Sequence, residues 1–231
     1  PRFQEDQRSA AWSVADQTGA QNYIFSLEDI SIEIKGEIPL KVSLNVKKGD
    51  FIIIKGKNSS GKSMLLKLFY LKCLPSKGKI FFEGNELKNS SKVSVQEFRK
   101  QTGVILQNDF LIPFLNVYQN IEIACEIQKN IKNIESRMNE IFNWLSLQDI
   151  KNEKIQNLSN SQKQKVVIAR ALINNPKLIL ADQPETFLDE EFRKKIMFLF
   201  TSLNKLGSTI IMTTNDLSQF DENCRIITLD T

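Results

Sequence analysis

Between positions 56 and 63 the chain reads Gly56-Lys57-Asn58-Ser59-Ser60-Gly61-Lys62-Ser63. The octet has the spacing G-x-x-x-x-G-K-[ST], and its flanks suit it. Residues 50–55 form a short apolar run that reads as a buried strand, and residues 62–71 read as a helix. In such a loop the backbone N–H groups converge on phosphate oxygens, and the positive end of the following helix adds to the attraction. Lys62 is spaced to reach the outer phosphates, and Ser63 to offer a hydroxyl to Mg²⁺. A chance Ser/Gly turn would share the spacing but would not need a strand before it and a helix after it.

Outward from this loop, strand-like and helix-like runs alternate. Residues 24–34, 40–46, 79–82, 178–181, 209–212 and 225–229 read as strands, and residues 159–173 and 190–206 as helices. The clearest amphipathic helix is 133–145, where Ile134, Met138, Ile141, Phe142 and Leu145 recur on one face. Ser159 is placed to cap the helix that follows it. This order predicts an α/β fold with a mostly parallel sheet between helices. Asp182 ends the apolar run Leu178-Ile179-Leu180-Ala181, so its carboxylate projects into the crevice at the carboxyl end of the sheet. Alone it would be an ordinary strand-to-loop aspartate; beside a phosphate loop it can orient the water shell of Mg²⁺.

At 231 residues the chain has room for one large domain or two small ones, at about 150 residues each. With 41% hydrophobic and 25% charged residues it is neither fibrous nor wholly disordered. Lys+Arg 31 against Asp+Glu 27 leaves +4, too mild to argue for a nucleic-acid partner. The longest apolar stretches, such as residues 51–54, fall far short of the roughly 20 residues of a membrane span. No signal-like segment opens the chain. Cys73, Cys125 and Cys224 lack metal-ligand spacing and fit a reducing cytosol. Histidine is absent, which excludes hydrolase chemistry built on a His base. Residues 1–22, with four Ala and four Gln but no Lys or Ile, read as a flexible tail, a fusion remnant or a frayed native extension.

The run Leu158-Ser159-Asn160-Ser161-Gln162-Lys163-Gln164-Lys165-Val166-Val167-Ile168-Ala169-Arg170-Ala171 resembles the signature of ABC-type ATPases. Gln107, after Gly103-Val104-Ile105-Leu106, sits like that family's Q-loop glutamine, and Leu188-Asp189 like the end of its D-loop. The resemblance covers about residues 24–230. It implies a P-loop domain over 23–231: a mostly parallel core sheet, an antiparallel β subdomain, and a helical signature subdomain at about 108–172. ATP and Mg²⁺ are the implied ligands. Gly56, Asn58, Ser59, Ser60, Gly61, Lys62, Ser63 and Met64 would hold phosphate; Ser63, Gln107 and Asp182 would hold the metal. A head-to-tail homodimer is implied too, with Ser159, Asn160, Ser161 and Gln162 of one copy closing over ATP on the other, and with Asp189 in the D-loop.

Residues 65–70, 98–107, Leu111-Ile112-Pro113 and Val117-Tyr118-Gln119-Asn120 are similar to the cell-division ATPases of the FtsE type. Lipoprotein-release and macrolide-efflux ATPases share much of this. The implied setting is the cytoplasmic face of the cell membrane, on an FtsX-like permease-like subunit. Phe110, Leu111, Ile112 and Phe114 are either a contact to that partner or core. Trp144 is expected in the core, and the Lys/Asn-rich stretch 130–165 on a solvated face.

The departures from the family pattern gather at the chemistry. Gln183 stands where the family has the Glu that orients or deprotonates water. An amide can hold water but cannot take its proton, a loss of about 10²–10⁴-fold. Asn215 replaces the switch histidine, costing roughly 10²–10³-fold for one aimed donor. Asn160 and Ser161 replace two signature glycines, Ile34 the adenine-stacking aromatic, and Ser59 a common loop glycine. Glu185, beyond Pro184, is a poor substitute base because the backbone has turned. Together these changes favour a naturally degenerate site over a single engineered Glu→Gln substitution. Two functions compete: an ATPase subunit driving a membrane partner, with turnover slow or absent, and a pseudo-ATPase adaptor that docks without turnover. A chromosome-organising ATPase fits poorly, since no long coiled coil interrupts the chain.

Overall fold

A computed structural model describes residues 2–5, 23–32, 40–56, 61–73, 75–87, 92–106, 111–126, 133–214, 220 and 224–230. Its strands are β1 (Arg2–Glu5), β2 (Tyr23–Ile32), β3 (Leu40–Lys47), β4 (Phe51–Gly56), β5 (Lys77–Phe82), β6 (Asn85–Glu86), β7 (Thr102–Ile105), β8 (Leu178–Asp182), β9 (Thr209–Thr213) and β10 (Arg225–Asp230). Its helices are α1 (Lys62–Phe69), α2 (Lys92–Lys100), α3 (Val117–Glu126), α4 (Ile134–Trp144), α5 (Asn160–Leu172) and α6 (Glu190–Lys205). A six-stranded sheet runs β1-β10-β4-β9-β8-β7, parallel except where β1 meets β10. A four-stranded antiparallel sheet runs β3-β2-β5-β6.

The central strands β4, β8 and β9 each carry an unbroken run of three or four apolar residues because both faces of the core sheet are covered. On β4, Phe51 and Ile53 enter one hydrophobic cluster and Ile52 and Ile54 the other. On β8, Ile179 and Ala181 face the first, Leu178 and Leu180 the second. The first cluster is closed by α3, α4, α5 and α6; the second by α1, by Phe98 of α2 and by the inner face of the antiparallel sheet. Gly103 lets α5 approach β7, since a Cβ there would collide with the Ala171 carbonyl.

The alternation read from the sequence matches β2–β5, β8–β10, α1 and α4–α6 to within a few residues, while β1, β6, β7, α2 and α3 have no counterpart among the expected elements. α1 stops at Phe69, short of the expected residue 71, because Leu71 adopts a left-handed backbone with φ 59°. Four residues of the stretch expected as a tail, Arg2–Glu5, pair antiparallel with β10, from Arg2 opposite Asp230 to Glu5 opposite Ile227. Trp144 is half-buried against the first cluster with the Lys195 ammonium over its ring, so it edges the core instead of filling it.

Candidate nucleotide site

β4 delivers the chain to the phosphate loop, and Gly61, at φ 89°, turns it into α1. That left-handed turn suits glycine. No side chain caps α1 and its first turn holds no acid, so its positive end is left for an anion. Lys62 is only 6% exposed, and its ammonium donates to the Gly56 carbonyl at 2.6 Å. Burial pushes the Lys62 ammonium below its usual range, and the Asp182 carboxylate pulls it back up. Lys62 and Asp182 therefore lie close enough to act on each other electrostatically. Ser63 and Met64, next on the helix, are half-buried.

Asp182 ends β8 two strands from β4, or about 10 Å across the sheet. It is 5% exposed, and its Oδ1 accepts the Thr213 hydroxyl at 2.7 Å. Gln183 follows with φ 47°, a strained backbone for a residue with a side chain. The strain is held by its own N–H, which donates to both the carbonyl and the hydroxyl oxygen of Thr213 at 3.1 Å. Asp182 and the Ser63 hydroxyl are hard oxygen donors. One carboxylate with a hydroxyl fits Mg²⁺, which takes one or two protein carboxylates and completes its shell with phosphate and water. Among the described residues no cluster of three or more acids, histidines or cysteines could hold a metal.

Ser159 opens α5 in a capping box: its hydroxyl oxygen accepts the Gln162 N–H at 3.2 Å, and its own N–H donates to Gln162 Oε1 at 2.9 Å. Ser159 and Asn160 are exposed; Ser161 and Gln162 are half-buried. Asp189 caps α6, accepting the Phe192 N–H at 2.8 Å. Ile34, Asn58, Ser59, Ser60, Gln107, Phe110 and Asn215 lie outside the described residues.

Three supports escaped the sequence. The amide of Gln164 on α5, itself buried, donates to the Pro184 carbonyl at 3.0 Å and ties the signature helix to the turn after Asp182. Thr213 braces both Asp182 and Gln183. Glu185 accepts the Thr214 hydroxyl at 2.6 Å. Each contact spans 20 to 31 positions, beyond any local pattern. The segment after Gln107 also divides. Leu111 is 7% exposed and belongs to the core, whereas Phe114 is 75% exposed.

This is the fold of an ATP-binding cassette. A family model described as ABC transporter matches residues 40–186, and the chain belongs to that family of ATP-binding subunits. It is 37% identical over 197 residues to the lipoprotein-releasing system ATP-binding protein LolD of Aquifex aeolicus, covering 84% of this chain and 88% of that one. It is 36% identical over 199 residues to the spermidine/putrescine import ATP-binding protein PotA of Mycoplasma capricolum, covering 85% of this chain but only 55% of that longer protein. The ATP-binding cassette MJ0796, solved as a dimer in a post-hydrolysis state with ADP and Pi, superposes with a TM-score of 0.79 at 31% identity, over 89% of this chain and 94% of that one.

Proposed function

We propose that this chain binds Mg-ATP, turns it over slowly, and signals the nucleotide state to a membrane-spanning, permease-like subunit from the cytoplasmic face of the membrane. The observation that carries the reading is the convergence of Lys62 and Asp182 beside a strand end that holds an amide. Lys62 and Asp182 are buried and electrostatically linked, while the strained strand-end position holds Gln183. Gly56, Asn58, Ser59, Ser60, Gly61, Lys62, Ser63 and Met64 hold the phosphates; Ser63, Gln107 and Asp182 hold Mg²⁺. Bound there, the ion supplies Lewis-acid stabilisation of phosphate oxygens. Gln183 positions water without accepting its proton, and Ile34 packs on the base without stacking. Two copies pair head-to-tail, so Ser159–Gln162 of one meets the nucleotide of the other.

A cleft of about 390 Å³ beside the end of β7, lined by Arg99, Leu106, Ile123 and Arg170, suits the docking of a cytoplasmic segment of that partner. Phe114 stands exposed on the neighbouring loop. Among the described residues no helix is long and apolar enough to cross a membrane. The partner we favour is the FtsX-like subunit of a division complex, on the FtsE-like residues of α1, α2 and α3. The similarity to LolD favours a lipoprotein-release complex as the second reading. Calorimetry tests the core of the proposal: Mg²⁺-dependent ATP binding that vanishes in Lys62→Ala supports it, and equal affinity in that variant sinks it. Co-expression with each class of permease-like subunit separates the two partners.

A further inference from the structure

Two adjacent hydroxyls grip the turn that carries Gln183. Thr213 ends β9 and Thr214 follows it, and both are buried. The Thr213 hydroxyl donates to Asp182 Oδ1 at 2.7 Å, and the Thr214 hydroxyl donates to Glu185 Oε1 at 2.6 Å. Both distances fall in the short range of hydroxyl-to-carboxylate hydrogen bonds. The two acceptors lie one position before Gln183 and two positions after it. Between them Gln183 keeps its φ of 47°, a strain that persists only where the surroundings over-determine it. Backbone bonds tighten the same turn: the Thr186 N–H donates to the Gln183 carbonyl at 3.0 Å, and the Leu188 N–H to the Glu185 carbonyl at 3.2 Å. Glu185 thus faces two ways, through its carbonyl toward the chain that enters α6 and through its side chain toward β9. It is half-buried, where a leucine would fill the space without the desolvation cost of a carboxyl group. What the carboxyl adds is an acceptor for Thr214.

We propose that Glu185 is a positioning residue for the slow turnover: by holding the Thr214 hydroxyl it locks the turn onto the end of β9, and so fixes the Gln183 side chain where it meets the attacking water. The inference rests on the proposed Mg-ATP reading and deepens it. An amide that cannot accept a proton acts by orienting water, and it orients water only as well as its own backbone is held. Glu185 takes no proton in this role. Its contribution passes through Thr214 and the backbone, across 29 positions of sequence. The phosphate loop lies on the chain that follows β4, so ATP affinity should not depend on Glu185. The loss belongs in kcat. A misplacement of about 1 Å in a reacting group costs up to about 10²-fold.

The full chain is compared with Glu185→Ala, Glu185→Gln, Thr214→Val and the Glu185→Ala, Thr214→Val double variant. Steady-state ATPase assays give kcat and KM, and calorimetry gives Mg-ATP affinity. Glu185→Ala and Thr214→Val should each lower kcat by about 10- to 10²-fold with affinity unchanged. The double variant should be no slower than the slower single, because both substitutions cut one bond. Glutamine keeps a carbonyl oxygen for the Thr214 hydroxyl, so Glu185→Gln should lose less than about 5-fold. Should Glu185→Ala melt early, Thr214→Val, which unties the same contact at nearly the same shape, is read in its place. A Glu185→Gln protein as slow as Glu185→Ala would make the carboxylate itself the proton acceptor and overturn positioning. Single variants that turn over like the parent, or losses that multiply in the double variant, overturn it as well. The series is repeated on the Gln183→Glu, Asn215→His background. If Mg-ATP binds and neither background turns it over, the inference falls while nucleotide binding stands. Absence of Mg-ATP binding in the parent sinks the nucleotide reading and the inference with it.

Discussion

On the proposed function, an amide at position 183 changes what the site can do without changing what it can hold. Gln183 keeps the size and reach of a glutamate, and its strained φ of 47° is secured by the backbone and hydroxyl of Thr213. Ground-state binding should survive, and the proton-accepting step should suffer, so the defect belongs in kcat more than in KM. Restoring Gln183→Glu together with Asn215→His should raise turnover by at least about 10²-fold in a steady-state ATPase assay, with Gln183→Glu alone recovering part. A double variant that binds ATP as well as the parent yet stays inert would move the block to Asn160 and Ser161. The brace itself can be tested. Thr213→Val removes the hydroxyl between Asp182 and Gln183, and should cost about 1–3 kcal/mol in urea unfolding by leaving buried polar groups unmatched.

At the scale of elements, the loop before α3 shows how one apolar cluster in sequence serves two purposes. Asn120 is buried, accepts the Ile112 N–H at 2.8 Å, and donates to the carbonyls of Ile112, Leu115 and Asn116 at 3.1, 3.4 and 3.0 Å. This staple turns Leu111 inward and leaves Phe114 in solvent. Leu111→Asp should therefore unfold the protein, a buried unpaired carboxylate being among the costliest substitutions. Phe114→Asp should leave the melting temperature within a few degrees and abolish co-purification with the membrane partner. Loss of the fold in Phe114→Asp would contradict the first half; retained co-purification would contradict the second. Asn120→Ala should cost about 1–3 kcal/mol by freeing backbone groups of residues 112–116 from their partner, measured by urea unfolding.

At the scale of the molecule, the antiparallel sheet is tied to the core sheet by charge as well as by apolar contact. Glu83, in the turn between β5 and β6, meets Lys48 at 3.3 Å and Lys177 at 3.2 Å, residues that precede β4 and β8. Burial alone would raise its carboxyl, but hydrogen bonds and charge from Lys177 and Lys48 outweigh that and hold it below the usual glutamate range. A depressed folded value means the contribution is present above the unfolded value of about 4.3 and is lost as pH falls through the folded one. The parent should lose more stability than Glu83→Gln between about pH 5 and pH 3, read from urea midpoints. Parallel curves for the two proteins would remove the charge argument. The effect should be small, since partly exposed pairs contribute about 0–1 kcal/mol each.

The sequence by itself determined the elements that are locally self-sufficient. The phosphate loop is written in eight consecutive residues, β4 and β8 in uninterrupted apolar runs, α4 in a regular stripe, and the capping box of α5 in Ser159 and Gln162. The identities at 160, 161, 183 and 215 are likewise written there and need no coordinates. Tertiary structure alone decided the rest. β7 has four residues and one of them is Gly103, so it is a strand only because β8 pairs along it. In α2 only Phe98 is buried among the side chains described, too little for a stripe. Asn120, Gln164 and Thr213 owe their roles to carbonyls and carboxylates brought to them from other segments or by a folded loop. Whether Leu111 faces inward and Phe114 outward follows from how the chain bends around Asn120. A hydrophobic side chain carries the same identity in either place, and only the packed neighbours give it a direction.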